Sequence, residues 1–247
     1  MLTVTFIRHG ESEDNTVHVW AGWKDAPLSP LGVLQASALA RSFQQSQTRF
    51  HHIYVSPLLR ARATGKAIHE LQPLDTPFTI LPSLREQHFG CAEGNSWALD
   101  VPPGETRESM IAKGVYPVPL LRSDKFEGGE SLDDLAVRAE EAVRACVLPH
   151  VGKGDVHVAL ASHGLCISEM VNAILRLDPK ADHEGKYTGL LNTAWTRITV
   201  ESRGARNEVK VSVTDVNRSE HLEAVLPSND NTSVNIDARA FFGGKSN

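Results

Sequence analysis

The chain has 247 residues, 41% of them hydrophobic, and this is long enough to bury one substantial core. Its formal net charge of -5 argues against nucleic acid as a partner, which usually needs a basic face, so any positive potential must be local to a pocket for a small anion. The lack of an apolar run of about 18 residues predicts no membrane segment, and three cysteines without metal-like spacing predict free thiols in the cytoplasm: Cys91, Cys146 and Cys166.

The first predicted element is a strand that ends in two cationic or titratable side chains. The apolar and β-branched run Leu2–Ile7 predicts a short buried strand, and Arg8 and His9 follow it directly. Ligands of open α/β sheets usually bind at such carboxyl ends of strands. An arginine there must meet water or an anion, and a phosphate group suits its planar fork. The alternative is a surface pair that Glu11 or Glu13 neutralises.

A loop and a helix follow this strand. Turn-forming and aromatic residues from Trp20 to Leu28 predict the loop. Ser29 is a helix-capping residue, Pro30 suits the first helical position, and apolar residues recur at helical spacing as far as Phe43. We therefore predict a helix that covers the sheet.

The second strand is predicted at His52–Ser56, and a helix should follow from Pro57 to about Leu71. Arg60 falls in the first turn of that helix, where a cation opposes the helix dipole. A bound anion shared by this arginine and the backbone amides would account for the placement better than packing does. Arg62 points about 200° away around the helix, so only one of the two can face the first strand.

A third strand, Phe78–Leu81, leads into a stretch with two candidate acids, Glu86 and Glu93. From residue 97 to about 127 the pattern is irregular and rich in proline, with one short helical piece near 105–113. Insertions of this length are often lids. Apolar residues outnumber cations in this insertion, which suggests either contact with an apolar leaving group or simple packing of the lid onto the domain.

The second half of the chain repeats the arrangement of the first strand. Ser131 is predicted to cap a helix that ends near Leu148. The next strand, Asp155–Ser162, ends directly before His163. Two strands would therefore each present a histidine at the same edge of the sheet.

The last predicted elements are a helix and a hairpin. The helix should run from Leu165 to about Leu177, and the segments Thr193–Glu201 and Glu208–Val216 alternate as the two arms of a hairpin do. Exposed strand edges and this hairpin would permit a homodimer, but nothing in the pattern requires one. The oligomeric state is therefore left open.

Four segments of the chain carry a family resemblance. They occur in the order that the family uses, and the resemblance spans roughly residues 3–198. The chain resembles the histidine phosphatase superfamily, the group of the phosphoglycerate mutases and fructose-2,6-bisphosphatases. The segments are Arg8-His9-Gly10-Glu11-Ser12 with Asn15, Ser56-Pro57-Leu58-Leu59-Arg60-Ala61, Leu84-Arg85-Glu86 before Phe89-Gly90, and Ser162-His163-Gly164.

This resemblance and the order of the elements imply an α/β fold. We expect a three-layer α/β/α sandwich with a mostly parallel central sheet, a lid-like insertion at about 97–127 and a C-terminal hairpin. A single domain should cover residues 1–227. The polar residues 228–247 should form a tail.

The resemblance also implies roles for five residues. His9 would attack phosphorus and form a phosphohistidine, while a backbone carbonyl holds its other ring nitrogen. Arg8, Arg60 and His163 would hold the phosphoryl oxygens. Glu86 would protonate the leaving alkoxide and then take a proton from the hydrolytic water. This chemistry needs no metal ion and no cofactor.

Further donors to the substrate are predicted near these residues. Asn15 and the backbone amides near Ala21, Gly22 and Gly164 are the candidates, because glycine permits a close approach of the backbone. Glu93 is the rival to Glu86 for the role of the acid.

The resemblance leaves the branch of the family open. The loop Ala21–Asp25 is similar to that of the mutases, but Phe89 stands where mutases carry a tyrosine, and the lid has no adjacent pair of arginines. The run Glu127–Ser131 resembles the phosphatase branch. We therefore favour a phosphatase that acts on a small-molecule phosphate ester, with a phosphoglycerate mutase-type phosphotransferase as the alternative. A non-catalytic phosphate-binding module is the third candidate.

Overall fold

The computed structural model describes residues 1–204 and 208–225. Within these ranges no helix combines the length and the apolar character needed to cross a bilayer. The strands there are β1 (Leu2–Arg8), β2 (His52–Val55), β3 (Phe78–Ile80), β4 (Ser96–Ala98), β5 (Val115–Pro117), β6 (Val156–Ser162), β7 (Trp195–Arg203) and β8 (Glu208–Arg218). The α-helices there are α1 (Glu13–Thr16), α2 (Pro30–Gln45), α3 (Leu59–His69), α4 (Arg107–Ala112), α5 (Leu132–Cys146) and α6 (Gly164–Leu175).

Six strands form the central sheet in the order β3-β2-β6-β1-β7-β8. The first four in that order are parallel, and β7 and β8 are antiparallel to their neighbours. This confirms the predicted α/β fold with a mostly parallel sheet. Because parallel strands need crossover connections, helices cover the faces of such a sheet.

Each face of the sheet has its own apolar core. On β1, Val4 and Phe6 point into a core that they share with α5 and α6, whereas Ile7 points into a core that it shares with α2 and α3. The alternation follows from the two-residue period of a strand. The sandwich therefore has three layers, as predicted, and β1 and β6 lie in its middle.

The predicted helix starts are confirmed, with small shifts. The Ser29 side chain accepts a hydrogen bond from Gly32 N, and Ser131 caps α5 through Asp134 N. The helix predicted from Pro57 begins at Leu59 instead. Its first amide donates to Asp25 Oδ1 at 2.6 Å, so a distant loop supplies the cap that the local sequence lacks.

The lid insertion contains more regular structure than the sequence predicted. Its helical piece is confirmed as α4, but β4 and β5 also pair as a two-stranded parallel sheet. Three-residue strands are too short to show a two-residue period, and Pro117 ends β5. The helix α1 was not predicted either, because its four residues are too few to show a helical period.

The hairpin is confirmed with shifted ends. The strand predicted to begin at Thr193 begins at Trp195, because Thr193 has a φ of 59° and is therefore not extended. Residues 205–207 of the connection and the tail predicted at 228–247 lie outside the described residues.

A half-buried histidine in β6 is expected to make the stability of the fold depend on pH. Burial, followed by the charges of Arg197 and His51, lowers the pKa of His157 to about 3. The unfolded chain takes up this proton near pH 6.5, so His157 destabilises the fold progressively as the pH falls from about 6.5 towards 3. We expect His157→Gln to lose less free energy of unfolding than the wild type, by up to ~1.4 kcal/mol per pH unit between pH 6 and 4. Urea unfolding at several pH values measures this, and two parallel pH curves would contradict it.

Candidate active site

The site is built where β1 and β6 end side by side. Arg8 is opposite Ser162 in the parallel register, so the next residues, His9 and His163, are neighbours. Their ring centroids are 5.1 Å apart, and His9 N donates to Ser162 O at 3.0 Å. Both imidazoles are buried. The structure therefore brings together the two histidines that the repeated strand pattern predicted at one edge.

The environment of His9 selects one tautomer of its ring. Nδ1 lies 2.7 Å from the carbonyl oxygen of Gly10. A carbonyl oxygen only accepts, so the proton of the neutral ring is on Nδ1, and Nε2 carries the lone pair that a nucleophile needs. The His9 carbonyl in turn accepts from Asn192 Nδ2 and Thr193 N, both at 3.2 Å. The ring arrangement is the one that the resemblance implied.

Two buried arginines adjoin these histidines. Arg8 Nη1 donates to Leu190 O at 2.6 Å, and Arg60 donates to Lys24 O at 2.9 Å and to Gly22 O at 2.8 Å. Carbonyl oxygens carry no net charge, so these bonds orient the guanidinium groups without cancelling their charge. Arg62 is exposed, so of the two arginines only Arg60 is buried against the histidines.

Gly10 brings the turn after β1 against α2. A Cβ atom at this position would lie 2.6 Å from the Gly32 carbonyl oxygen, which no side chain permits. The Gly10 amide donates to Thr64 Oγ1, and Thr64 Oγ1 donates to the carbonyl of Arg60. Thr64 thereby connects the turn that carries His9 with the helix that carries Arg60.

The surroundings of His163 favour its neutral ring. Burial lowers its pKa well below the usual value, and Arg60, His9, Arg138 and Arg8 lower it further. Ser56 Oγ lies 2.8 Å from Nε2 and also accepts from Leu58 N. With the Ser56 hydroxyl donating to Nε2, the proton of His163 is on Nδ1, which is buried and has no hydrogen-bond partner among the described residues. An anion oxygen would satisfy this donor.

Glu86 places a carboxylate at the first turn of α6. Oε1 accepts from Gln87 N at 2.9 Å and from Cys166 N at 3.1 Å, and Oε2 accepts from Leu165 N at 3.2 Å. Because α6 begins immediately after His163, the Glu86 carboxyl group lies at the rim of the same site.

The carboxylate of Glu93, the other candidate acid, binds two backbone amides. Glu93 Oε1 accepts from Trp23 N at 2.8 Å and from Phe89 N at 3.0 Å. These bonds fasten the loop after α1 to the segment around Phe89. The geometry therefore favours Glu86 over Glu93 as the carboxyl group beside the histidines.

The remaining predicted donors lie around the same site. Asn15 Oδ1 accepts from Ser12 N at 3.0 Å, Gly22 has its carbonyl on Arg60, and Gly164 is the first residue of α6 with open space around its Cβ position. Ala21 is buried next to Gly22. Their roles as donors to a substrate stay predictions.

Several side chains that hold the site were not foreseen. Ser56 follows β2 as the histidines follow β1 and β6, and this shared position could have revealed it. Trp23 and Arg138 both donate to the main-chain carbonyl of Glu86, at 2.7 Å and 2.9 Å. Asn192 supports His9. These last contacts join segments remote in sequence, and no local pattern signals them.

Burial raises the pKa of Cys166, which adjoins Glu86, to about 12, so its thiol is protonated at neutral pH. Within residues 1–204 and 208–225, no three histidine, cysteine, aspartate or glutamate side chains form a group that could hold a metal ion.

The lid packs onto the loop that follows α1. Trp20 Nε1 donates to Tyr116 O at 2.9 Å, and Trp20 forms a cluster with Phe89 and Val118. These contacts account for part of the apolar composition of the lid by packing. Leu120 and Leu121, in contrast, are 80% and 65% exposed.

A family comparison agrees with this arrangement. The model of the histidine phosphatase superfamily (branch 1) matches residues 4–212. The chain therefore belongs to the histidine phosphatase superfamily.

Two curated relatives carry the name of phosphoglycerate mutases. The chain is 30% identical over 178 residues to a 2,3-bisphosphoglycerate-dependent phosphoglycerate mutase of Methylocella silvestris, which covers 72% of this chain and 83% of that protein. It is 34% identical over 182 residues to a probable phosphoglycerate mutase of Photorhabdus laumondii. This match covers 74% of this chain and 79% of that protein.

Solved structures with a similar fold include two phosphatases. One is the mycobacterial glucosyl-3-phosphoglycerate phosphatase, with a TM-score of 0.64, 24% identity, and 88% of this chain and 99% of that chain covered. The other is the phosphoserine phosphatase of Entamoeba histolytica, with a TM-score of 0.63, 23% identity, and 90% and 100% covered. At these identities the similarity concerns the fold.

Proposed function

We propose that the protein hydrolyses small phosphate monoesters, without a metal ion, through a phosphohistidine on His9. The observation that supports this most directly is the convergence of two imidazoles, 5.1 Å apart, with two buried guanidinium groups at the ends of neighbouring strands. Such a set can surround one tetrahedral dianion. The free thiols predicted for the chain favour the cytoplasm as the place of this activity.

The proposed first step transfers the phosphoryl group to the enzyme. Nε2 of His9 attacks phosphorus, the bond from phosphorus to the ester oxygen breaks, and Glu86 gives its proton to that oxygen. Arg8, Arg60 and the Nδ1–H of His163 stabilise the charge on the phosphoryl oxygens. Further donors in the proposal are Asn15 and the amides of Ala21, Gly22 and Gly164.

The second step returns the enzyme to its starting state. Water attacks the phosphohistidine, Glu86 takes a proton from that water, and inorganic phosphate leaves from Nε2 of His9. The same carboxyl group therefore serves as acid and then as base. A phosphotransferase would instead keep water out and pass the phosphoryl group to a second hydroxyl.

The cations of the lid favour hydrolysis over mutase chemistry. A mutase must hold the second anionic group of a sugar acid, which needs cations at the rim of the pocket. Each of the lid's four cations is already engaged with the protein. Arg107 donates to the carbonyls of Pro117 and Val118, Lys113 pairs with Glu105, Arg122 pairs with Asp133 and Glu169, and Lys125 pairs with Asp134.

A specific observation also supports the alternative, a phosphoglycerate mutase-type phosphotransferase. The curated relatives at 30% and 34% identity carry that name. The loop Ala21–Asp25 is also similar to the mutase loop. Phosphorylated three-carbon acids are therefore the first compounds on which to compare hydrolysis with transfer.

The test is hydrolysis of p-nitrophenyl phosphate by the wild-type protein in EDTA. We expect release of inorganic phosphate between mildly acidic and neutral pH, at a rate that EDTA does not change, because protein groups supply all the charge stabilisation in the proposal. A flat trace from well-folded protein would contradict the proposal and favour a non-catalytic phosphate-binding module.

A second measurement separates hydrolysis from transfer. We expect 3-phosphoglycerate to yield inorganic phosphate and little 2-phosphoglycerate, with or without a bisphosphorylated primer. Rapid interconversion of the two phosphoglycerates that depends on the primer would instead identify a mutase.

A further inference from the structure

Trp23 joins the two halves of the proposed site. Its indole Nε1 donates to the main-chain carbonyl of Glu86 at 2.7 Å. The carbonyls on either side of it, those of Gly22 and Lys24, accept the two hydrogen bonds from Arg60. One residue therefore connects the arginine proposed to hold the phosphoryl group with the segment that carries the proposed acid.

Protein groups hold the indole ring in place. The Arg85 guanidinium lies 4.8 Å from the ring centroid, the Arg138 guanidinium lies 5.9 Å from it, and the His88 ring is 4.7 Å away. The main-chain amide of Trp23 donates to Glu93 Oε1 at 2.8 Å. The ring is half-buried among these groups, and this arrangement favours a fixed position over stacking on a substrate.

The hydrogen bond from Trp23 acts on the main chain of the acid. The Glu86 carboxylate accepts three bonds from backbone amides, and its main-chain carbonyl accepts one from Trp23 and one from Arg138 Nη2. Fixing the carbonyl sets the direction in which the side chain leaves the backbone. A displacement of about 1 Å at a reacting group can cost about 10²-fold in rate.

We propose that Trp23 is a positioning residue for Glu86, whose indole N–H holds the carboxyl group in line with the departing ester oxygen. This inference rests on the proposed function, in which Glu86 is the general acid. It assigns a role to a side chain that does not itself touch the reacting atoms.

The leaving group provides a readout that simple structural damage would not move. An alkoxide is a strong base and needs a proton as it departs, whereas p-nitrophenolate is a weak base and departs without one. A misplaced acid therefore slows alkyl phosphates selectively. The value of kcat/KM is the quantity to compare, because it covers the steps up to departure of the leaving group.

The experiment compares wild type and Trp23→Phe on phosphoserine and on p-nitrophenyl phosphate. We expect kcat/KM to fall about tenfold or more for phosphoserine and by less than about threefold for p-nitrophenyl phosphate. An equal loss on both substrates, or no loss on either, would overturn the inference.

Trp20→Phe is the matched control. It removes an indole N–H bond of similar length from the same loop, but that bond goes to Tyr116 O in the lid. We expect it to leave the ratio of the two kcat/KM values unchanged. A change in that ratio as large as that of Trp23→Phe would contradict a role specific to Trp23.

Two further variants distinguish a failure of the inference about Trp23 from a failure of the proposed function. Arg138→Lys keeps the charge but loses the second donor to the Glu86 carbonyl, so it should show the same selective loss and replaces Trp23→Phe if that variant folds poorly. Glu86→Gln should show the selective loss most strongly. If Glu86→Gln slows phosphoserine selectively and Trp23→Phe does not, the role of Trp23 is overturned while the acid assignment stands. If Glu86→Gln slows both substrates equally, the assignment of Glu86 as the acid is overturned as well.

Discussion

Replacing His9 with alanine is expected to lower kcat on p-nitrophenyl phosphate by at least about 10³-fold, with the fold retained. The two other nitrogen and sulfur groups of the site, His163 and Cys166, are poorly placed to take over the attack. The pKa of the Cys166 thiol is about 12, so it is protonated, and Nε2 of His163 is engaged with Ser56. Phosphate release and the thermal midpoint of the variant measure the two parts of this prediction.

The covalent intermediate gives an independent check on His9. Wild-type protein quenched during turnover should carry a phosphoryl group that is stable to base and released by acid, as expected for a phosphorus–nitrogen bond. His9→Ala should carry none. The exposed His183 provides the control, because His183→Ala should keep both the intermediate and the turnover. Near-full activity in His9→Ala would refute the assignment.

Glu86→Gln is expected to lower kcat/KM for phosphoserine by about 10² to 10³-fold, because an amide cannot transfer the proton that the leaving oxygen needs. The loss on p-nitrophenyl phosphate should be smaller by about tenfold or more. Glutamine keeps the length of the side chain. The amide nitrogen, however, replaces one carboxylate oxygen and cannot accept, so either the bond from Leu165 N or the bonds from Gln87 N and Cys166 N are lost, and a lower thermal midpoint is also expected.

Glu93→Gln is the comparison that makes this prediction specific. Glu93 accepts from Trp23 N and Phe89 N through one oxygen, which the amide oxygen of glutamine can replace, so Glu93→Gln should keep the loop in place and show no selectivity for the leaving group. A larger and more selective loss in Glu93→Gln than in Glu86→Gln would transfer the role of the acid to Glu93.

The part of the site that the sequence predicts consists of side chains that directly follow strands. His9 and His163 are predictable because each directly follows an apolar strand, and parallel strands end at one edge. Arg60 and Arg62 could not be separated by periodicity alone, because a bound anion and an exposed face both accommodate a cation. Their burial separates them: Arg60 is 1% exposed, whereas Arg62 is exposed.

The parts that sequence reasoning missed depend on contacts between remote segments. The bond from Trp23 to the carbonyl of Glu86 spans 63 residues, and the bond from Asn192 to the carbonyl of His9 spans 183. The acceptors in both cases are main-chain oxygens, which every residue has, so no residue type identifies them. The short strands β4 and β5 were not predicted for a different reason: three residues are too few to show the two-residue period of a strand.

The position of β6 affects when the protein becomes active during its synthesis. It is the last of the four parallel strands to leave the ribosome, yet it inserts between β2 and β1. Until it does, His9 after β1 and Ser56 after β2 have no common neighbour. A nascent chain that ends before residue 156 thus has His9, Arg8, Arg60 and Glu86 but lacks His163 beside His9, and under the proposed function it should not hydrolyse phosphate esters before translation has passed this strand.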